Sequence, residues 1–257
     1  MNGGETNRLR VLVVDDEPGG RALAAHELRK EFEEFELIEI GEPRELAEAI
    51  EKGGFELVVT DYQLGWTDGL AVLQAVKRKY PDCPVVMFTG AVSEEFAVQA
   101  MKAGFDDYVL KSSQRFGGLK AAARTALDDA QRRRAQREAE VRHREFFDGV
   151  PVGMYRASVD GRILTANPAA AQILGSPDCE SLIGLNVASL YADSAERGAR
   201  LELGRPGVAE ERELRFRRLD GRIIWVVNNA RMTCDAAGNV LYSEAAIQDV
   251  TVRKQAE

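Results

Sequence analysis

The sequence predicts two domains of different class: a doubly wound α/β domain with a five-stranded parallel sheet, then, past a long helix, an α+β domain with an antiparallel sheet. Three observations predict this. Up to residue 111, short apolar runs rich in β-branched residues alternate with helical patterns, as βαβ units require. From Leu119 the chain turns to alanine and long polar residues, which are good helix formers. Past Phe146 come two strand-like runs, short helical patterns and three further strand-like runs, with Asp-Gly and Gly-Asn pairs at the turns.

Leu9 to Val14 is the first apolar run, and it ends in Asp15-Asp16. A helix is expected from about Gly19 to Phe32, because Ala24, Leu28 and Phe32 recur at i, i+4 and i+8. Phe35 to Ile40 mixes apolar and acidic residues like a half-exposed strand, and Pro43 suits the first turn of a helix through Ile50. Leu57 to Thr60 forms the third strand, followed by a loop to Asp68-Gly69 and a helix from Leu70 to Lys79. Val85 to Thr89 is the fourth strand. A helix from about Glu94 to Lys102 stops at Gly104, and Tyr108 to Leu110 is the fifth strand, with Lys111 at its end.

Composition excludes several classes. Of 257 residues, 45% are hydrophobic and 30% charged, as in an ordinary globular protein. No run approaches the roughly 20 apolar residues of a membrane span, and no basic-then-apolar leader opens the chain. Cys83, Cys179 and Cys234 are few, odd in number and without metal-ligand spacing, so free thiols in a reducing cytoplasm are expected. The net charge of -8 is uneven: -9 over residues 1–116, +3 over 117–145 and -2 over 146–257. An acidic first half argues against a nucleic-acid surface, and Arg132-Arg133-Arg134 reads as a solvated helix face.

Chemistry concentrates at the strand ends. In an open α/β sheet, ligands bind beyond the carboxyl ends of the strands. That is where Asp15, Asp16, Asp61, Thr89 and Lys111 fall. Any one of these aspartates alone reads equally well as a helix cap; it is the set that points to a site. Three carboxylates in one crevice repel one another unless a cation joins them, and oxygen-only ligands suit Mg²⁺ better than Zn²⁺. With the Thr89 hydroxyl and the Lys111 charge, such a site can neutralise the oxygens of a phosphoryl group during in-line transfer to a carboxylate.

On these residues, the stretch from 8 to 127 resembles a response-regulator receiver domain, whose fold is flavodoxin-like. The resemblance implies that Asp61 is the phospho-acceptor. It implies that Asp15, Asp16, Asp61 and the backbone carbonyl of Gln63 ligate Mg²⁺. Thr89 would follow the phosphoryl group on activation, Tyr108 would be the aromatic that changes rotamer with it, and Lys111 the fixed charge. A histidine kinase or phosphotransfer protein is the implied partner. Two positions depart from the family: Ser112 follows Lys111 where a cis proline is common, and Gly65-Trp66 stands where a proline is often found. A cis bond without proline costs about 3 kcal/mol, so this loop is expected to differ. Trp66 reads either as a cover over the site or as an exposed contact beside it.

The helix from Leu119 to about Phe146 would span ~40 Å. Its first turns complete the first domain. The remainder, 128–145, is either a weak parallel coiled coil between two chains or a lone solvated helix, since Arg133 and Arg137 interrupt its apolar stripe. Residues 146–252 then run through Gly153 to Ala157, Ile163 to Ala166, a helix opened by Asn167-Pro168 and stopped by Gly175, a helical middle with Leu182, Val187 and Leu190, and strands at 211–218, 222–233 and 240–249. This region resembles a PAS sensory domain on Asp160-Gly161-Arg162-Ile163, Asn167-Pro168-Ala169-Ala170, Leu182-Ile183-Gly184, Asp220-Gly221-Arg222 with Trp225, and the ending Asp249-Val250-Thr251. In the family that ending couples the sheet to a following helix.

Haem and covalently bound flavin are not expected as cofactors. Residues 146–257 hold no histidine, His143 lies upstream, and Cys179 lacks the asparagine-cysteine-arginine setting that the flavin chemistry needs. The ligand, if there is one, is left open: Met154, Ile173, Leu190 and Trp225 either line a small-ligand cavity or belong to a filled core that serves dimerisation. The expected whole is a cytoplasmic two-component signalling protein, a homodimer that binds neither membrane nor nucleic acid directly. No ATP-binding or cyclase motif occurs, so only the receiver's own phosphoryl chemistry is expected. The alternatives are the sensory front of a hybrid histidine kinase or diguanylate cyclase, although neither His26 nor His143 has phospho-acceptor surroundings, and a non-phosphorylated dimerisation scaffold.

Overall fold

The computed structural model describes residues 8–90, 94–111, 118–193 and 210–256. The chain divides into two compact units, Met1–Glu138 and Ala139–Glu257. In the first, β1 (Leu9–Val14), α1 (Pro18–Arg29), β2 (Phe35–Ile40), α2 (Pro43–Lys52) and β3 (Leu57–Thr60) lead to a small hairpin of β4 (Gln63–Leu64) and β5 (Thr67–Asp68). Then come α3 (Gly69–Lys79), β6 (Val85–Thr89), α4 (Glu94–Ala103), β7 (Asp107–Leu110) and α5 (Gly118–Gly149). The five long strands pair in parallel in the order β2-β1-β3-β6-β7.

The strands are apolar on both faces because helices cover both. Val11, Val13, Val59, Val86 and Phe88 pack with Leu28 of α1 and with Leu119 and Ala123 of α5. Leu12, Val14, Val58, Val85 and Met87 face Leu46 of α2 and Val72, Leu73 and Val76 of α3. Helix α1 ends at Arg29 rather than at Phe32. Phe32 is still buried, its N–H bonded to the Leu28 carbonyl, so packing rather than helix periodicity accounts for its spacing. The β4–β5 hairpin occupies what the sequence reads as plain loop.

Helix α5 buries Leu119, Ala122, Ala123, Ala126, Leu127 and Ala130, and residues 131–140 are exposed. The arginines that interrupt its apolar stripe have partners in the first unit. Arg133 Nη2 lies 2.7 Å from Asp106 Oδ1, and Arg137 pairs with Asp82.

The second unit holds β8 (Gly153–Ser158), β9 (Ile163–Ala166), α6 (Pro168–Leu174), two 3₁₀ turns (Glu180–Leu182 and Val187–Leu190), β10 (Glu210–Arg217), β11 (Ile223–Cys234), β12 (Val240–Asp249) and α7 (Thr251–Ala256). The sheet is antiparallel, in the order β10-β11-β12-β8-β9. Its helical middle is 3₁₀, because each segment is too short for more than a single turn. Tyr155, Ile163, Leu174, Leu182, Leu190, Phe216, Val226 and Ile247 fill the space between the helices and one face of the sheet.

Asn167 ties this unit together. Fully buried, it caps α6 by accepting from the Ala170 N–H at 2.9 Å, and it also accepts from the Met154 N–H at 2.8 Å. Its amide donates to the carbonyls of Phe147 and Val152, both at 2.9 Å, so one side chain joins the end of α5, β8 and α6. Gly175 closes α6 with φ 70°, a left-handed cap that a Cβ would strain.

Candidate functional site

The ends of the parallel strands are stapled beyond their formal limits. The Asp15 N–H donates to the Ile40 carbonyl, Asp61 N–H to Val14, and Lys111 N–H to Thr89, at 3.0, 2.9 and 2.7 Å. The backbone ladder therefore continues one residue further at the ends of β1, β3 and β7, and it carries Asp15, Asp61 and Lys111 into one crevice. The Lys111 ammonium lies 2.6 Å from Asp15 Oδ2 and 2.5 Å from Asp61 Oδ2. All three side chains are at most 14% exposed, and water screens them little.

Local amides hold the other carboxylate oxygens. Asp15 Oδ1 accepts from the Glu17 N–H at 2.9 Å and Asp61 Oδ1 from the Tyr62 N–H at 2.5 Å. Burial works against the Lys111 charge, but the hydrogen bonds to Asp15 and Asp61 and their negative charges outweigh it, and its pKa rises above the usual lysine value. The ammonium also lies 5.7 Å from the centre of the Phe88 ring.

The remaining site residues divide. Asp16 turns to the β4–β5 hairpin, where its Oδ2 accepts from the Gly65 N–H at 2.9 Å. Gln63 is exposed in the same hairpin and its N–H lies 3.3 Å from Asp61 Oδ1. Thr89 is buried at the end of β6. Tyr108 pairs with Met87, two residues before Thr89, which places Tyr108 and Thr89 on the same face of neighbouring strands. Trp66 is half-buried among the apolar residues beside α2 and α3, and its indole N–H donates to the Gly41 carbonyl at 2.9 Å. Ser112 lies outside the described residues.

Three glycines bear on the site; the sequence points to Gly65 only as a departure from the family, and to none of the three as spacing for an aspartate. A Cβ on Gly20 would stand 1.9 Å from Asp15 Oδ2, one on Gly65 2.9 Å from Asp16 Oδ2, and one on Gly69 2.7 Å from the Asp61 carbonyl oxygen. A signal was available for Gly20: two consecutive glycines in the first turn of α1 weaken a helix and need another reason to be there.

Asp15, Asp16, Asp61 and the Gln63 carbonyl supply only hard oxygens, the donor chemistry that suits Mg²⁺. Among the described residues, no group of three acidic, histidine or cysteine side chains, Asp15, Asp16 and Asp61 included, is placed to hold a metal ion. Lys111 bridges Asp15 and Asp61, while Asp16 engages Gly65.

In the second unit the four residues read as lining one cavity do not share a face. Leu190 is buried in the core and Ile173 packs against it. Ile224 and Val226 of β11 point into that core, so Trp225 between them lies on the opposite face, where Arg215 and Lys254 stand 5.9 Å from its ring. Met154 is likewise on the outer face, between Gly153 and the core residue Tyr155. Alternation along a strand, rather than hydrophobicity, decides these positions. The Trp225 N–H donates to Thr251 Oγ1 at 3.0 Å and the Thr251 N–H to Asp249 Oδ1 at 2.8 Å, which fixes the start of α7 to β11. Cys83 is buried, while Cys179 and Cys234 are half-buried. His26 and His143 are exposed on α1 and α5. Among the described residues, no helix is long and apolar enough to cross a membrane.

Comparison with known proteins agrees with both units. The family model "Response regulator receiver domain" matches residues 11–123, and the model "PAS fold" matches residues 142–250. The chain is 34% identical over 122 residues to the response regulator protein PilR of Pseudomonas aeruginosa, covering 47% of this chain and 26% of PilR. It is 34% identical over 110 residues to the transcriptional regulatory protein ResD of Bacillus subtilis, covering 42% of this chain and 43% of ResD. It thus spans less than half the length of either relative. A solved CheY-like receiver domain protein from Methanospirillum hungatei is 25% identical, with a TM-score of 0.44, over 49% of this chain and 98% of that one.

Proposed function

We propose, for a chain that carries a response regulator receiver domain followed by a PAS domain, that Asp61 accepts a phosphoryl group from a partner histidine kinase or phosphotransfer protein. The observation that carries this reading is the single Lys111 ammonium within 2.6 Å of both Asp15 and Asp61 at the carboxyl ends of the strands. A carboxylate oxygen of Asp61 attacks the phosphorus in line, forming the new P–O bond as the bond to the donor breaks, and the donor leaves with that electron pair. Lys111 supplies positive charge to the incoming oxygens, and the Thr89 hydroxyl donates to them once the phosphoryl group is in place. Asp15, Asp16, Asp61 and the Gln63 carbonyl would hold Mg²⁺, which when bound neutralises phosphoryl charge.

Once Asp61 is an acyl phosphate, Lys111 loses one of its two carboxylate partners and gains a phosphoryl oxygen. That exchange, with Thr89 and Tyr108 on adjacent strands, biases a two-state equilibrium. The domains we assign are a receiver over 8–127, a connecting helix over 128–145 and a PAS module over 146–252 that senses or dimerises. The protein acts in the cytoplasm as a homodimer, without membrane contact or direct nucleic-acid contact. Incubation with acetyl phosphate and Mg²⁺, followed by intact mass measurement, tests the reading. One phosphoryl adduct is expected on the wild type and none on Asp61→Asn. No adduct on the wild type would remove the receiver chemistry, and an undiminished adduct on the variant would remove the Asp61 assignment.

A further inference from the structure

We propose that the second unit carries a ligand site on the outer face of its sheet, built for an organic anion with an apolar body, such as an aliphatic carboxylate. The last turns of α5 and strands β8, β11 and β12 border a half-open cavity of about 720 Å³, all of it lined by residues of that unit. This is the size range of small-ligand sites. It lies across the sheet from the filled core of Leu190, Phe216 and Ile247.

The lining is mainly apolar, with Phe147, Met154 and Ala246 among it, but a row of charge crosses it. Arg156, Glu244 and Arg231 pair across three adjacent strands in one register. Glu244 Oε1 accepts from Arg156 Nη2 at 2.7 Å, and Glu244 Oε2 accepts from Arg231 Nη2 and Nε at 2.8 and 3.0 Å. The two guanidinium groups thus already hold one carboxylate between them. Arg156 Nε is buried and has no acceptor among the described residues. The Arg156 guanidinium lies 4.2 Å from the centre of the Tyr242 ring, which helps to fix it.

With Arg144 the cavity carries three arginines against Glu244 and Asp148, so it favours an anion. The planar forks of Arg156 and Arg231 match a carboxylate, and the apolar remainder favours an aliphatic body over a bare inorganic ion. This site stands apart from the chemistry at Asp61, and its test does not depend on phosphorylation.

Octanoate and 1-octanol, titrated calorimetrically into the full chain, are the probes. Octanoate is expected to bind at least tenfold more tightly than 1-octanol, because only the carboxylate carries a negative charge to pair with the guanidinium groups. Arg231→Gln should weaken octanoate about tenfold; Arg231 is 60% exposed, so this variant tests charge rather than folding. Ala246→Trp should block the cavity and abolish binding, and Glu244→Gln should tighten it by freeing both arginines. Absence of octanoate binding, equal affinity for 1-octanol, or unaltered binding to Ala246→Trp would each overturn the site.

Discussion

Lys111 holds the first site together, because it is the cation between Asp15 and Asp61. Lys111→Met leaves two nearly buried carboxylates without it. Removing one partner of a buried ion pair costs about 3 kcal/mol, and that loss is expected in the urea midpoint at neutral pH. The pH dependence has a definite sign. A lysine whose pKa is raised on folding contributes stability that is complete below its unfolded value of about 10.4 and is lost as pH rises through the folded value. The stability gap between wild type and Lys111→Met should therefore shrink in alkali and stay constant from neutral pH to pH ~9. Gly20→Ala tests the space beside Asp15: its Cβ would displace Asp15 Oδ2, so acetyl phosphate labelling should fall several-fold while far-UV circular dichroism is unchanged. Burial pushes the Cys83 thiol up to about 12, so it should resist a thiol reagent in the native protein and react only on unfolding, after Cys179 and Cys234.

Among the elements, the end of α5 depends on Asn167. Asn167→Ala removes a helix cap and leaves part-buried carbonyls and amides without their partner, at a cost of about 2–4 kcal/mol. The chain has two tryptophans, Trp66 in the first unit and Trp225 in the second. In a Trp66→Phe background, Trp225 fluorescence should report that loss as a lower urea midpoint. The strands of both units were legible because their apolar runs end at charged or turn residues, as Val58-Val59-Thr60 ends at Asp61. The β4–β5 hairpin was not, since two-residue strands carry no periodicity. The outer-face cavity was hidden as well. It is assembled from residues as distant as Phe147 and Glu244, and the sequence reading grouped Trp225 with Leu190, in one cavity or one filled core, although Ile224 and Val226 on either side of it take the core face.

At the scale of the whole molecule, the parallel sheet does the work of assembly by bringing residues from β1, β3, β6 and β7 to one edge. That gathering was legible, because in a doubly wound sheet every strand's carboxyl end faces the same crevice. The division of labour within the acidic pair was not legible. Asp15 and Asp16 are adjacent in sequence and chemically identical, and only the structure shows Asp15 on Lys111 and Asp16 on Gly65. The central claim is that Asp61, rather than either neighbour, receives the phosphoryl group. Borohydride reduces an acyl phosphate to the alcohol, so an aspartyl phosphate becomes homoserine in place. Treatment with acetyl phosphate and Mg²⁺, then borohydride and peptide mass mapping, should place homoserine at position 61 alone. Homoserine at position 15 or 16, or none anywhere, would contradict the account.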